Sequence, residues 1–283
     1  MPTVSELKLE LEDATTLKLI SQAFTEASAA RVQKIKSEFE KNAGFYKEIS
    51  HLYHLVRASA DRAGDQITSK KAAGKKPEDR KVLSVAFTSN QRFYGNLNIN
   101  IMQKFLEAIK DKKTDICVIG LTGKDYMASV GYDKPFEKLQ FAKDNPSKDE
   151  VRAFLDKSDA YDTVNVYYPK FVTLVSQTVG VTDITQEASE DKIPEDEIYV
   201  LFEPDLSQTL DFFKRQVRSL LFLRVVLESD LSRTAARLLT MSGAEERSTE
   251  MIKVKKSQLR KIQTSIINAR LIETFAAIKG VRR

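Results

Sequence analysis

Apolar and polar positions repeat along this chain in two different periods, and the change of period divides it into three segments. From Val4 to about Ala63 there is no proline, and apolar residues recur at helical spacing: Leu7, Leu11, Ala14, Leu17, Ile20, Phe24, Ile35, Phe39, Ile49, Leu52 and Leu55. A helix of about 60 residues would run roughly 90 Å at ~1.5 Å per residue, far more than a globular domain needs. Gly44 is a candidate break in it. The polar run Lys70-Lys71-Ala72-Ala73-Gly74-Lys75-Lys76-Pro77 then reads as a linker.

Between Arg80 and about Tyr199 the pattern becomes strand and helix in alternation. Val82–Thr88 and Asp115–Leu121 are short apolar runs of strand type, each followed by a turn and a helical pattern, Asn98–Lys110 and Lys124–Tyr132. Thr163–Tyr168 and Val179–Ile184 are further strand candidates, and Lys148–Lys157 is a predicted helix. Such alternation implies a small α/β domain with parallel strands.

After Glu203-Pro204, the stretch Ser207–Ile278 has no proline and one internal glycine, Gly243. Steps of three and four from Leu210 reach Phe213, Val217, Leu220, Arg224, Leu227, Leu231, Thr234, Leu238, Met241, Glu245, Ser248, Ile252, Lys255, Leu259, Ile262, Ile266, Ala269 and Glu273. Of these 19 positions 13 are apolar, a seam of about nine heptads that marks a coiled coil. Its helix would be about 100 Å long, and the N-terminal helix is the obvious partner. The predicted fold class is therefore α/β plus a long antiparallel α-helical coiled coil, the α/β domain inserted between the N- and C-terminal helices. The predicted divisions are 1–66 for the first helix, 67–79 for a linker, 80–204 for the α/β domain and 205–283 for the second helix.

Composition narrows the function classes. Residues are 42% hydrophobic and 30% charged, a mixture suited to much exposed helix. The single Cys117 excludes an intramolecular disulfide, and no CxxC or Cys/His cluster has zinc spacing. No apolar run approaches the ~20 residues of a membrane span, and Met1–Glu12 has no signal-peptide pattern, so a soluble, unprocessed chain without membrane insertion is expected. A formal charge of +5 is compatible with nucleic acid, an acidic membrane surface or an acidic protein, and selects none of them.

Candidate chemistry is sparse. There is no G-x-x-x-x-G-K-[ST] and no G-x-G-x-x-G. Gly120-Leu121-Thr122-Gly123-Lys124 lies at a strand-to-helix turn, where backbone N–H groups can meet a phosphate, but it has the spacing of neither nucleotide loop and reads as a connecting turn. His51 and His54 share a helical face without a third ligand at motif spacing. Cys117, in an apolar strand, reads as a small core residue. No catalytic residue, cofactor or metal ligand is assigned. Met251–Ile272 carries Lys253, Lys255, Lys256, Arg260, Lys261 and Arg270 and no acid. This is a solvated face or a surface for something acidic; aromatic residues for base stacking do not interleave, which argues against nucleic acid.

Specific runs of residues resemble a family, the γ subunits of F-type ATP synthases. Glu228-Ser229-Asp230-Leu231-Ser232-Arg233-Thr234-Ala235-Ala236-Arg237-Leu238-Leu239-Thr240-Met241-Ser242-Gly243-Ala244 resembles E-S-x-x-S-E-H-A-A-R-M-x-A-M-x-x-A without a gap, and Ile267, Leu271 and Glu273 fall in the closing I-T-x-E-L-x-E-I pattern. Thr88 to Ile101 is similar to T-S-D-R-G-L-C-G-G-F-N-x-N-I. Gly120 to Tyr126 is similar to G-R-K-G-R-D-F, and Phe202-Glu203-Pro204 to Y-E-P. Leu19 to Phe24 and Ala29 to Val32 fall on K-I-T-K-A-M and A-A-K-L.

The resemblance spans nearly the whole chain. It implies two long helices in an antiparallel coiled coil carrying a Rossmann-like domain with no nucleotide site. The implied activity is mechanical: a rotor shaft, not itself an enzyme and without a cofactor, turning inside a ring of α and β subunits that hold the ATP sites. The implied partners are those α and β subunits, the ε subunit and the membrane c-ring, on the inner face of an energy-transducing membrane. Glu203 falls at a family contact with the c-ring. Gln263, Thr264, Arg270 and Glu273 fall at rotor–stator contacts, where the family's Arg-Gln pair has become Gln263-Thr264 and its Glu has become Arg270. The family's N-terminal lysines are replaced by Leu19 and Gln22. These departures admit a specialised F-like ATPase motor as the alternative within the family. Outside it, the rival readings are an α/β enzyme with coiled-coil dimerisation arms, and a coiled-coil scaffold or nucleic-acid clamp.

Overall fold

The computed structural model describes residues 3–62, 80–185 and 206–281. In chain order these form α1 (Val4–Arg62), β1 (Val82–Phe87), α2 (Leu97–Ile109), β2 (Asp115–Ile119), α3 (Leu121–Ser129), β3 (Glu137–Leu139), α4 (Lys148–Ser158), β4 (Thr163–Phe171), β5 (Gln177–Asp183) and α5 (Leu206–Val281). The architecture is thus α/β with a long helix at each end, as the sequence predicts. The predicted linker at 67–79 and Glu203 lie outside the described residues, as does the side chain of Leu210, the first position of the predicted seam.

The five strands form one sheet in the order β3-β2-β1-β4-β5. β1, β2, β3 and β4 are parallel, whereas β5 runs antiparallel to β4, with Tyr168 opposite Gly180. The expectation of parallel strands therefore fails at β5, for a simple reason. Only residues 172–176 separate β4 from β5, and a parallel return needs a dozen or more. The short strand β3 escapes the sequence reading because Glu-Lys-Leu carries no apolar run.

Both faces of the sheet are covered. On one face Phe87, Val85, Val164 and Val166 pack against Val151 and Phe154 of α4 and Phe222, Val225 and Val226 of α5. Phe154 and Phe222 stack with centroids 4.5 Å apart, and Phe87 meets Phe222 edge-on at 6.2 Å. On the other face Ile101, Met102, Phe105 and Ile109 of α2 and Met127 of α3 cover Ala86, Val118 and Tyr167. α4 starts where its sequence directs. Ser147 accepts the Glu150 N–H, and Glu150 accepts the Ser147 N–H at 2.7 Å, a complete capping box.

The chain divides into two compact units, Met1–Ala29 with Arg237–Arg283, and Ala30–Ala236. In the second unit α1 and α5 run antiparallel beside the α/β domain. Tyr53 and Val56 pack on Val217, Arg224 lies over the Phe39 ring, and Val32 and Ile35 pack on Leu231. Gly44 does not break the helix. In the first unit the same antiparallel sense is fixed by Lys255 Nζ, 2.6 Å from Glu10 Oε2.

The seam of α1 differs from the stripe that its apolar residues suggest. Its least exposed positions step by three and four through Leu7, Leu11, Ala14, Lys18, Ser21, Thr25, Ser28, Val32, Ile35, Phe39, Asn42, Tyr46, Ile49, Tyr53 and Val56. Leu17, Ile20 and Phe24 lie one residue off this register, about 100° round the helix, and are 48%, 49% and 41% exposed. A supercoiled pair keeps one register along its length, so the large residues in phase outweigh those out of phase, among them also Leu52, 44% exposed beside buried Tyr53. The polar seam positions are accommodated locally. Thr25 donates to the Ser21 carbonyl at 2.9 Å, and Ser248, buried in α5, donates to the Ala244 carbonyl at 2.8 Å.

Candidate functional site

In a doubly wound sheet, ligands bind outside the carboxyl ends of the strands, where the strand order reverses. Here that place lies beyond β1, with Gly120–Lys124 at the start of α3. The first N–H groups of a helix are ready anion donors only if nothing else uses them. In this chain they are all engaged. Leu121 N–H donates to Asn90 Oδ1 at 3.1 Å, Thr122 N–H to the Ser89 carbonyl at 3.0 Å, Gly123 N–H to Thr88 Oγ1 at 3.0 Å and Lys124 N–H to the Gly120 carbonyl at 3.3 Å.

The two glycines serve this closure. Gly120 has φ +101°, and a Cβ there would lie 2.7 Å from Thr88 Oγ1; a Cβ on Gly123 would lie 2.6 Å from the same atom and 2.7 Å from Val118 Cγ1. They let the loop after β1 lie against the helix start, with Thr88 Oγ1 donating onward to the Ile119 carbonyl at 2.6 Å. The turn is a structural connection, as its spacing predicts.

One side chain of α5, Arg233, reaches the loop after β1. Arg233, 1% exposed, donates from Nη1 to the Thr88 carbonyl at 3.2 Å and from Nη2 to the Asp144 carbonyl at 3.1 Å, and its guanidinium lies 5.1 Å from the Phe87 ring centroid. Burial pulls the Arg233 pKa down, while the charges of Asp144 and Asp230 oppose that shift. Asp144 accepts from the Asn90 N–H at 2.6 Å and the Tyr94 hydroxyl at 2.8 Å. Asp230 accepts from both Arg31 Nη2, at 3.0 Å, and Asn145 Nδ2, at 2.7 Å. Desolvation works against the Arg31 charge, but its pairing with Asp230 prevails and leaves the Arg31 pKa raised. Sequence reasoning missed this network. Its one visible signal is Arg233 itself, standing where the pattern E-S-x-x-S-E-H has Glu.

The other candidates are scattered. Gln263, Thr264, Arg270 and Glu273 lie on α5 and are exposed, like every residue from 263 to 277. Gln263, Arg270 and Glu273 share one side of the helix, with Thr264 about 100° away. In this unit Glu10 pairs with Lys255, so an antiparallel count from Glu10 to the start of α1 at Val4 ends near residue 261; beyond it α5 runs without α1 beside it. Ile266, Ile267, Leu271, Ile272 and Phe275 are exposed large apolar side chains of this bare stretch. His54 is buried with its ring 5.6 Å from that of Tyr53. Among the described residues no three His, Cys, Asp or Glu gather as metal ligands. Cys117 is buried in the sheet, as expected of a core residue, and its thiol pKa is pushed up to about 12 by desolvation.

Comparison with known proteins bears on this combination of an α/β domain and two long helices. A family described as ATP synthase matches residues 3–280. The relatives found are ATP synthase gamma chains: that of Clostridium novyi (strain NT) is 24% identical over 275 residues, covering 94% of each chain. That of Clostridium botulinum (strain Kyoto / Type A2) is 23% identical over 284 residues, covering 98% of this chain and 97% of the relative.

The chain belongs to the ATP synthase γ family.

The fold agrees with this membership. A chain of the Tetrahymena thermophila mitochondrial ATP synthase central stalk and c-ring superposes with a TM-score of 0.58 at 16% identity, covering 80% of this chain and 99% of that one. A chain of the Euglena gracilis mitochondrial ATP synthase OSCP/F1/c-ring assembly superposes with a TM-score of 0.55, also at 16% identity, covering 89% and 95%. No helix among the described residues is long and apolar enough to cross a membrane.

Proposed function

We propose that this chain is the central rotor shaft of a rotary ATP synthase, coupling rotation of a membrane c-ring to conformational change in catalytic β subunits. The observation that carries the reading is the family match along residues 3–280. A helix start whose N–H groups are taken up by the chain's own Thr88, Ser89 and Asn90 suits a mechanical part, which does no chemistry itself. In this reading residues 80–204 are the foot, 1–66 and 205–283 are the shaft, and 67–79 joins them.

The shaft works by differential contact. Each orientation of an asymmetric helix pair stabilises one conformation of each surrounding subunit more than another, and only that difference shifts populations. The exposed stretch of α5 beyond the start of α1 is where such contacts fall, with Gln263, Thr264, Arg270 and Glu273 facing the α/β ring. Glu203 is the candidate contact with the c-ring. The complex lies peripherally on the inner face of an energy-transducing membrane. The test is assembly with the chain's own α and β subunits, which should give a complex holding one copy of this chain. Calorimetry on the isolated chain should show ATP binding no tighter than millimolar, and micromolar binding would contradict the reading.

A further inference from the structure

A guanidinium taken out of water loses several kcal/mol of hydration, about as much as good hydrogen bonds and opposite charges can return. A Met or Leu at position 233 would fill the same space without that cost. Apolar contacts, however, leave two surfaces free to slide. A guanidinium with its N–H groups aimed at two separate carbonyls fixes an angle as well as a distance.

Arg233 makes that kind of attachment. Its two acceptors, the Thr88 and Asp144 carbonyls, belong to the loop after β1 and the loop between β3 and α4, both in the α/β domain. Three residues before it on α5, Asp230 ties Arg31 of α1 and Asn145 of the same domain loop into the cluster. Asp144 holds the far side of that loop to Asn90 and Tyr94. Two cations and two anions therefore bind three pieces of the fold at one point: α1, α5 and the carboxyl edge of the sheet. Glu at position 233, as in the family pattern, would put a third acid beside Asp144 and Asp230.

We propose that Arg233, with Asp144, Asp230 and Arg31, is the torque-bearing joint that locks the α/β domain to the helix pair. Arg233 is a positioning residue: it acts by keeping domain and shaft at one angle. The use of the joint rests on the rotor reading, but its mechanical integrity is measurable without it.

Amide hydrogen exchange on the full-length chain tests the joint. Arg233→Lys keeps a charge and loses the two-carbonyl geometry; Arg233→Met loses both. In each, the amides of Asn90 and Thr122, bonded to Asp144 and Ser89, should exchange about tenfold faster or more, as expected when ~1.4 kcal/mol of local closure is lost. The amides of Val85 and Val118, inside the sheet, should keep their rates. Should Arg233→Met not fold, Arg233→Lys decides. Unchanged exchange at Asn90 and Thr122, or an equal acceleration at Val85 and Val118, would overturn the joint and leave Arg233 a packing residue.

The second arm uses the chain assembled with its α and β subunits and stalled. The rotational fluctuation of a bead fixed to the α/β domain should widen in Arg233→Lys, and an unchanged width would also overturn the proposal. Local acceleration of exchange in a chain that fails to assemble would contradict the rotor reading and leave a rigid joint of other use. Normal rotation with unchanged exchange would contradict the joint and spare the rotor.

Discussion

At the scale of single residues, Arg270 carries the sharpest consequence. It is exposed on the bare stretch of α5, with the opposite charge to the Glu of the family pattern. A charge-assisted hydrogen bond contributes roughly 1.5–3 kcal/mol, and a partner left buried and unpaired costs a comparable amount. The cognate β subunit is therefore expected to offer Arg270 an acidic or carbonyl-rich surface. Arg270→Glu should slow ATP-driven rotation about tenfold if ~1.4 kcal/mol of coupling is lost, whereas Gln263→Arg should give no gain; rotation of the reconstituted head measures both.

Cys117 makes a separate prediction about stability. Its thiol, with an ordinary value near 9, is pushed up to about 12 in the folded state by burial. Between those values the unfolded chain releases a proton that the folded chain keeps. The thiol therefore contributes stability that is full below pH 9 and is lost as pH rises toward 12, by at most ~1.4 kcal/mol per pH unit. Urea unfolding from pH 8 to pH 11 should show a steeper decline for the native chain than for Cys117→Ala, and parallel declines would refute the assignment.

At the scale of elements, type and order were plain in the sequence for all but β3, and the registers were left open. β1, α2, α4 and β4 begin within a residue of expectation, because alternating apolar runs and the Ser147/Glu150 box are local signals. α3 starts three residues earlier than its apolar pattern, since its first turn is stabilised by the distant Thr88, Ser89 and Asn90. The α1 seam was misread at Leu17, Ile20, Phe24 and Leu52 because helical spacing alone cannot tell two stripes apart when one carries small polar residues. The Arg233 network was illegible for a related reason, since its members lie up to 202 positions apart, from Arg31 to Arg233. The seam can be checked directly. Ile35→Ala, on the seam and buried, should cost about 2–5 kcal/mol, whereas Ile20→Gln, off the seam, should stay within about 0.5 kcal/mol of the native chain in thermal unfolding.

At the scale of the whole molecule, a shaft needs a lasting helix pair, a domain to drive it and an end that touches the stator. The bare end of α5 carries Ile272 and Phe275, both exposed. Deleting Ile272–Arg283 removes this greasy surface and none of the paired seam. It should lower torque and slow turnover while α and β still assemble around the chain; loss of assembly would make the end an anchor.

In the rotor reading this chain turns. Its most direct measurement is single-molecule rotation: the chain assembled with its own α and β subunits, the head fixed to glass, and a bead attached to the α/β domain. The expected result is unidirectional rotation on ATP, one step per turn for each β subunit of the head, ceasing when ATP is withdrawn. A bead that stays still or only diffuses, while the same head hydrolyses ATP, would contradict it.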